Sequence, residues 1–222
     1  MIYSISNIQL IDAFGKNSEC PFCILKKEVE NSLVKMLLTE GVTDEETRLE
    51  SNASGFCKRH LHLMEAAENK LGFALQLNTR MIYLKNLLSS VKNTKTALKT
   101  AEKIKKELST CIICKYTDES MERYYSLTAK TYGENSEFRA LFNNSKGFCL
   151  EHYEGLLRNV KSAKSHAEAY IKELSALENE NLSRLIKELD WFCDKFDYRN
   201  SDKPWGNSKD APERTVKKYI GD

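Results

Sequence analysis

Proline and glycine are scarce in this chain of 222 residues, which contains three and nine of them, respectively. An all-β protein with many tight turns needs more of both, so the composition argues against that class. The chain also lacks a run of 18 apolar residues, and we therefore expect neither a transmembrane helix nor a membrane partner. Its first residues lack the basic and long apolar stretches of a secretory signal, which predicts a cytoplasmic protein.

An excess of charge of one sign is lacking as well. The 34 basic and 32 acidic side chains leave a formal net charge of only +2, so nucleic acid is a possible but not a favoured partner. Five lysines share one face of a predicted helix, but no aromatic residues are interleaved with them, and we interpret the face as solvated. They are Lys92, Lys95, Lys99, Lys103 and Lys106. The sequence leaves open whether the partner is a protein or a small molecule.

The cysteines, by contrast, are numerous and form a repeated pattern. A CPFC motif at residues 20–23 is followed by GFCKRH at 55–60, and CIIC at 111–114 is followed by GFCLEH at 147–152. The gaps from each CxxC to the next GFCxxH are nearly equal, with 33 and 34 residues between the flanking cysteines. Six of the seven cysteines belong to this pattern, which chance explains poorly. In a reducing compartment such thiols are better interpreted as metal ligands or redox groups than as a disulfide framework.

The spacing favours two tetrahedral zinc sites. A CxxC turn presents two sulfur atoms on one side, and the cysteine and histidine of CxxH share a helix face, so three thiolates and one imidazole can surround one ion. Each set is closed, which is typical of structural zinc, and no catalytic residue is predicted. Taking each CxxC with the next CxxH, the sequence predicts two zinc ions per chain. The predicted ligands are Cys20, Cys23, Cys57 and His60 in the first set, and Cys111, Cys114, Cys149 and His152 in the second.

Other interpretations of the cysteines stay open at this point. In the first, the cysteines are buried apolar residues without metal; in the second, they are ligands of an iron–sulfur cluster. In the third, they form a thiol switch that releases zinc on oxidation. His62 is excluded as a ligand because Glu154 stands at its place in the second repeat, and His166 is interpreted as an ordinary histidine. The unmatched Cys193 is predicted to be a buried, inert thiol.

Helical periodicity of apolar residues runs through most of the chain and predicts an all-α fold. We expect one helix over residues 24–39 and a long helical stretch from His60 to Val91, with a lysine-rich continuation to Leu108. Thr43 and Glu46 are predicted to form a capping box at the start of a short helix that lies between these two helical segments.

Together, the helical periodicity and the duplicated cysteine motifs predict two tandem helical pseudo-repeats, each stapled by one Cys3His zinc site. The first spans residues 1–108 and the second 109–199. Residues 200–222 are predicted to form a C-terminal loop and a short helix packed on the repeats.

The duplicated CxxC…GFCxxH motifs and the Phe-Asp-Tyr-Arg segment at 196–199 together resemble a prokaryotic family known only as a domain of unknown function. The resemblance extends from Cys20 to Gly221 and implies no activity. The residues themselves favour a non-enzymatic binding or regulatory module with structural zinc. A thiol-based redox or zinc sensor is the first alternative. The second is an enzyme whose pocket is lined by Asp197, Tyr198 and Arg199, although these residues can equally well pair with each other.

Overall fold

The computed structural model describes residues 7–222, and this part of the chain is all-α, as predicted. Four short 3-10 helices accompany the α-helices, and no strand occurs in the described range. The α-helices, numbered in chain order, are α1 (Asn7–Gly15), α2 (Pro21–Leu38), α3 (Glu45–Ser54), α4 (Lys58–Ala66), α5 (Lys70–Leu88), α6 (Thr94–Ser109), α7 (Ile112–Glu134), α8 (Ser136–Asn143), α9 (Leu150–Arg158), α10 (Ala167–Asp194) and α11 (Ala211–Ile220). None of these helices combines the length and the apolar character needed to cross a membrane.

The helix predicted to begin near His60 is in fact three helices, α4, α5 and α6. Asn69 caps α5 by accepting a hydrogen bond from the backbone N–H of Gly72, at 2.9 Å. Asn93 caps α6 in the same way by accepting the backbone N–H of Thr96. In return, the Thr96 hydroxyl accepts the backbone N–H of Asn93. Such caps satisfy the free N–H groups of a helix start, so a new helix begins although the apolar periodicity continues.

The cap of α3 also differs from the expected one. The carboxylate of Asp44, not the hydroxyl of Thr43, accepts the N–H of Thr47 at 2.8 Å. The predicted capping box of Thr43 and Glu46 was therefore placed one residue too early.

The chain divides into two compact units whose bounds differ from those of the predicted segments. Unit 1 combines the residues up to Lys27 with Ser120–Asp222, and unit 2 is the continuous stretch Glu28–Glu119. The boundaries fall within α2 and within α7. The division of the sequence into tandem repeats at residues 108 and 199 stays a prediction.

Unit 1 has an aromatic core. The ring of Phe14 lies within 6.0 Å of the rings of Phe22, Phe138, Phe142 and Phe148, measured between centroids. All five side chains are buried, and further buried aromatic residues extend the cluster. Aromatic side chains bury large apolar areas and gain from edge-to-face contacts, so this core is well supplied with stabilising contacts.

Unit 2 has a more modest core. Its buried apolar side chains are mainly aliphatic and come largely from α2, where Leu33, Val34, Leu37 and Leu38 point inward. Its four aromatic residues are each only half-buried. Polar side chains fill several interior positions, and the Gln76 amide, for example, donates to the carbonyl of Leu37 at 2.8 Å. Because apolar burial drives folding, unit 2 depends more on other sources of stability than unit 1 does.

Candidate metal centres

The first cluster of predicted ligands lies in unit 1 and consists of Cys20, Cys23, Cys149 and His152, all buried. Cys20 immediately precedes α2, and a tight turn closed by the Cys23 N–H on the Cys20 carbonyl places both sulfurs together. Cys149 precedes α9, whose first turn carries His152. The Nδ1 atom of His152 lies 3.3, 3.6 and 3.0 Å from the sulfurs of Cys20, Cys23 and Cys149, respectively.

The second cluster lies in unit 2 and has the same construction. Cys111 precedes α7, Cys114 lies in its first turn, Cys57 precedes α4 and His60 follows one turn later. The His60 Nδ1 atom lies 3.3 Å from each of the three sulfurs. Cys57 and Cys114 are half-buried, whereas Cys111 and His60 are buried.

Each of the two clusters fits its own tetrahedral ion. With zinc–sulfur and zinc–nitrogen bonds of ordinary length, tetrahedral geometry places two sulfurs about 3.8 Å apart and sulfur and nitrogen about 3.6 Å apart. The sulfurs of Cys23 and Cys149 are separated by 3.8 Å, as are those of Cys57 and Cys114. In each cluster all four ligand atoms lie within 4.8 Å of one another. The two clusters can therefore each hold a metal ion through three sulfurs and one histidine Nδ1.

The pairing of the half-motifs differs from the predicted one. Each CxxC meets the GFCxxH of the other half of the sequence, so Cys20 and Cys23 are joined by Cys149 and His152, and not by Cys57 and His60. The physical reason is the long helix that begins at each CxxC. Helix α2 has 18 residues and α7 has 23, which correspond to about 27 and 34 Å of helix rise. The chain is thus carried away from each CxxC before the next GFCxxH is reached.

The glycine of each GFCxxH motif has a structural role that its position explains. Gly55 and Gly147 have φ of 64° and 75°, a left-handed region that favours glycine. In both cases a buried ion pair occupies the space where a Cβ atom would lie. A Cβ at Gly55 would meet the Arg80 guanidinium at 2.6 Å, and one at Gly147 would meet Glu178 at 2.5 Å.

Members of the two ion pairs also form hydrogen bonds with nearby backbone groups. Arg80 pairs with Glu107 and donates to the carbonyl of Asn52. In unit 1, Lys218 of α11 pairs with Glu178 at 3.0 Å, and Glu178 accepts the N–H of Phe148. Burial raises the pKa of Glu178, and the neighbouring ammonium group opposes this shift. Sequence reasoning missed these residues because each stands far along the chain from the motif that it supports.

The outer nitrogens of the two histidines differ in environment. The Nε2 of His60 lies 3.5 Å from the carboxylate of Glu30, which also pairs with Arg59. Burial opposes ionisation of Glu30, but Arg59 and His60 lower its pKa to about 2. A carboxylate on the non-ligating nitrogen orients a metal-binding histidine and increases its basicity. His152 has no such partner among the described residues, and its ring instead packs near Phe22, at 5.7 Å between centroids.

The crowded sulfurs require a positive charge to be thiolates simultaneously. Burial, followed by the neighbouring sulfurs, raises the pKa of the Cys20 thiol well above its ordinary value. Burial and the charge on Cys111 raise the pKa of Cys114 to about 12. A bound cation reverses these effects, because metal coordination stabilises the thiolate.

Residues at the C-terminus contribute to the unit 1 cluster, which sequence reasoning did not predict. A Cβ at Gly221 would lie 3.4 Å from the sulfur of Cys23 and 3.6 Å from that of Cys149, so this backbone segment covers the cluster. The pKa of the Cys23 thiol is raised chiefly by Cys149, and the backbone N–H of Asp222 opposes this rise. Gly221, with φ of 86°, also ends the last helix, whose final residue is Ile220.

The remaining candidate residues lie outside both clusters. His62 is exposed and contacts Glu65 at 3.2 Å, and His166 is also exposed. The prediction for Cys193 was wrong in one respect, since its thiol is exposed and not buried.

The Asp197–Arg199 segment has the simpler of its two predicted arrangements. Arg199 pairs with Asp197, and its N–H also donates to that carboxylate at 2.9 Å. Tyr198 is 85% exposed. A side chain so exposed does not line a deep cleft, which leaves the enzyme alternative without support from this segment.

Fold and clusters define an all-α protein with two Cys3His ligand sets, each able to hold one metal ion. The chain belongs to a family of unknown function, DUF6062, whose model matches residues 1–222, in agreement with the resemblance inferred from its motifs. Neither the search of curated proteins nor that of solved structures gave a match.

Proposed function

We propose that this protein is a non-enzymatic binding or regulatory module held together by two structural zinc ions, one in each cluster. The observation that carries the proposal is the tetrahedral spacing of the ligand atoms in two complete sets. A catalytic zinc keeps one position open for water or substrate, whereas three thiolates and an imidazole fill all four positions. The soft sulfur ligands favour zinc over magnesium or calcium.

The spacing also favours zinc over an iron–sulfur cluster. In such clusters several iron and sulfide ions separate the ligating cysteines, which spreads their sulfurs apart. Here the four ligand atoms of each set fall within 4.8 Å, which leaves room for one ion. The cytoplasm is the compartment that we propose, because six closely spaced thiols persist as thiolates only under reducing conditions.

Metal analysis of the protein purified without added zinc is the direct test. We expect two zinc ions per chain and neither iron nor acid-labile sulfide. The Cys193→Ser variant is the matched control and should retain both ions, since this thiol lies outside the two clusters. Iron in stoichiometric amounts with sulfide, or a protein free of metal, contradicts the proposal.

A redox or zinc sensor is the second candidate function, and one observation favours placing it in unit 2. Oxidation requires an accessible thiolate, and Cys57 and Cys114 are half-buried, whereas all the unit 1 ligands are buried. Under peroxide we expect the unit 2 ion to be released first and the unit 1 ion to persist. A chromogenic chelator follows the release, and mass spectrometry identifies the oxidised cysteines.

The two candidate functions differ in how that release proceeds. For a structural zinc, release should be slow, and thiol oxidation should yield mixed products. Fast release that a reductant reverses, with a single disulfide within the unit 2 set, would establish the sensor instead. In the Cys57→Ser variant the early phase should disappear. Release of the unit 1 ion before that of unit 2 contradicts the difference in access.

Gly221 should control access to the unit 1 ion. An alanine cannot adopt its backbone conformation without a strain of about 1–3 kcal/mol, so Gly221→Ala should lift the last residues from Cys23 and Cys149. We expect the strong chelator to capture the unit 1 ion about tenfold faster, as that strain energy implies. Gly206→Ala is the control, because Gly206 also has a positive φ, 56°, but has nothing within 4 Å of an added Cβ. Equal capture rates in the two variants would show that the terminus does not shield the site.

A further inference from the structure

Exposed apolar side chains are concentrated in α5, α6 and the turn between them. Eight large ones lie between residues 71 and 108, although this segment is a small part of the chain. They are Leu71, Leu75, Met81, Ile82, Leu88, Val91, Leu98 and Leu108. The usual burial pattern of an amphipathic helix is reversed in part of α5, because Gln76 and Arg80 are buried while several leucines are exposed to solvent. Exposed apolar side chains mark interaction sites where they form a contiguous surface.

Part of this surface forms a groove, which we call the α5–α6 groove. It is a cavity of about 350 Å³ in unit 2. Its walls are the apolar side chains Leu77, Met81, Leu84 and Leu88 of α5, Ile104 and Leu108 of α6, and Phe56 and Leu61 beside the metal ligands. Its polar lining is Arg80 and Glu107, which pair with each other and so leave no free charge inside. The groove therefore selects for apolar groups.

The segment that supplies most of the groove is strongly basic. Residues 70–109 contain nine basic and two acidic side chains, a net charge of +7, which leaves −5 for the rest of the chain. One of the two acids is Glu107, already paired with Arg80. The near-neutral total charge of the protein thus hides a strongly basic segment, which attracts acidic partners.

Lysines border the groove on both helices. Lys85 lies one helical turn from Met81 and from Leu88, and Lys105 lies one turn from Leu108, so these exposed lysines are surface neighbours of the groove residues. An occupant that presents apolar groups to the groove and carboxylates at its edges meets complementary charge on both sides.

We propose that the α5–α6 groove docks an acidic amphipathic helix of a partner protein. This inference rests on the proposed binding function and names its surface and the chemistry of its partner. From Leu77 to Leu88 the groove wall spans about 16 Å, the rise of three helical turns. A helix of that length presents apolar residues at positions i, i+3 or i+4, and i+7, which is the spacing of helix-in-groove recognition. Aspartate and glutamate beside them pair with Lys85 and Lys105.

A synthetic helical peptide of about 16 residues, with leucine at those positions and glutamate elsewhere, is the probe. Fluorescence anisotropy with the full-length protein should show binding in about the micromolar range, weakened by salt. A peptide with lysine in place of glutamate should not bind. Met81→Glu should weaken binding about tenfold or more, as truncation of a groove anchor does.

The chain offers closely matched controls for each substitution. Ile82 is 54% exposed and Met81 55%, but only Met81 lines the groove, so Ile82→Glu should leave binding unchanged. Lys105→Glu should weaken binding, whereas Lys106→Glu should have a smaller effect, because exposed Lys106 has no groove residue one turn away on the same helix.

Zinc content, measured on every sample, separates failure of this inference from failure of the proposed function. Protein that carries two zinc ions but does not bind the acidic peptide overturns the inference alone. So does binding to anionic phosphatidylserine vesicles with the same dependence on Met81, which would assign the surface to membranes. Self-association of the protein that Met81→Glu abolishes would assign it to a second copy of the chain. Metal-free protein overturns the proposed function whatever the peptide does.

Discussion

Removal of both metal ions with a strong chelator under reducing conditions is expected to unfold unit 2 completely and to loosen unit 1. Structural zinc contributes roughly 10–16 kcal/mol in small peptides. A whole domain is stable by only about 5–15 kcal/mol. Loss of one ion therefore removes as much free energy as a domain has in reserve. Unit 2 has no fully buried aromatic side chain, whereas unit 1 retains its cluster around Phe14, so the effect should be larger in unit 2.

Two spectroscopic signals distinguish the units in this experiment. Both tryptophans, Trp191 and Trp205, belong to unit 1, so tryptophan fluorescence reports on that unit alone, while far-UV circular dichroism reports on both. We expect the helical signal to fall before the fluorescence changes, and both to recover when zinc is returned. Helical content that stays intact after both ions have left contradicts a structural role for the metal.

Pairs of ligand substitutions should show which half-motifs share an ion. Cys20→Ser combined with Cys149→Ser removes two ligands of the same centre, so about one zinc ion per chain should remain. Cys20→Ser combined with Cys57→Ser removes one ligand from each centre, so the zinc content should fall towards zero. Elemental analysis of both double variants gives the answer directly.

The reverse result has an equally clear meaning. If the Cys20/Cys57 variant keeps one ion and the Cys20/Cys149 variant none, each CxxC pairs with the next CxxH along the chain. The single variants Cys57→Ser and Cys149→Ser should each lose about one ion and destabilise their own unit. Cys193→Ser is the control for a harmless substitution, since that thiol is exposed and belongs to neither set.

Residue spacing was sufficient to predict the fold class and to nominate the residues of both clusters. Apolar periodicity is a local property, and a CxxC or a CxxH motif brings its own two ligands together within one turn. The eight nominated residues, Cys20 and Cys23 among them, do assemble into two groups of four. Spacing alone could not decide which half-motifs combine, because that depends on where long helices carry the chain.

The supporting residues could not be predicted for a similar reason. Glu30 approaches His60 from α2, and Arg80 fills the space beside Gly55 from α5. In a sequence each of these is one charged residue among many on an amphipathic helix. The exposure of Cys193 likewise depends on tertiary packing around α10, for which the sequence has no local signal.

The interleaved ligand order has a consequence for the chain as it is synthesised. The first four ligands to leave the ribosome are Cys20, Cys23, Cys57 and His60, a complete Cys3His set that belongs to no native centre. Under the proposed zinc binding, an ion captured at that stage has to be exchanged once Cys111 and Cys114 emerge, and Cys20 and Cys23 stay without Cys149 and His152 until those residues have been made. Helix α2 begins directly after Cys20 and is complete in sequence before Cys57 is made; if it forms at that stage, its 18 residues separate Cys20 from Cys57 by about 27 Å of helix rise.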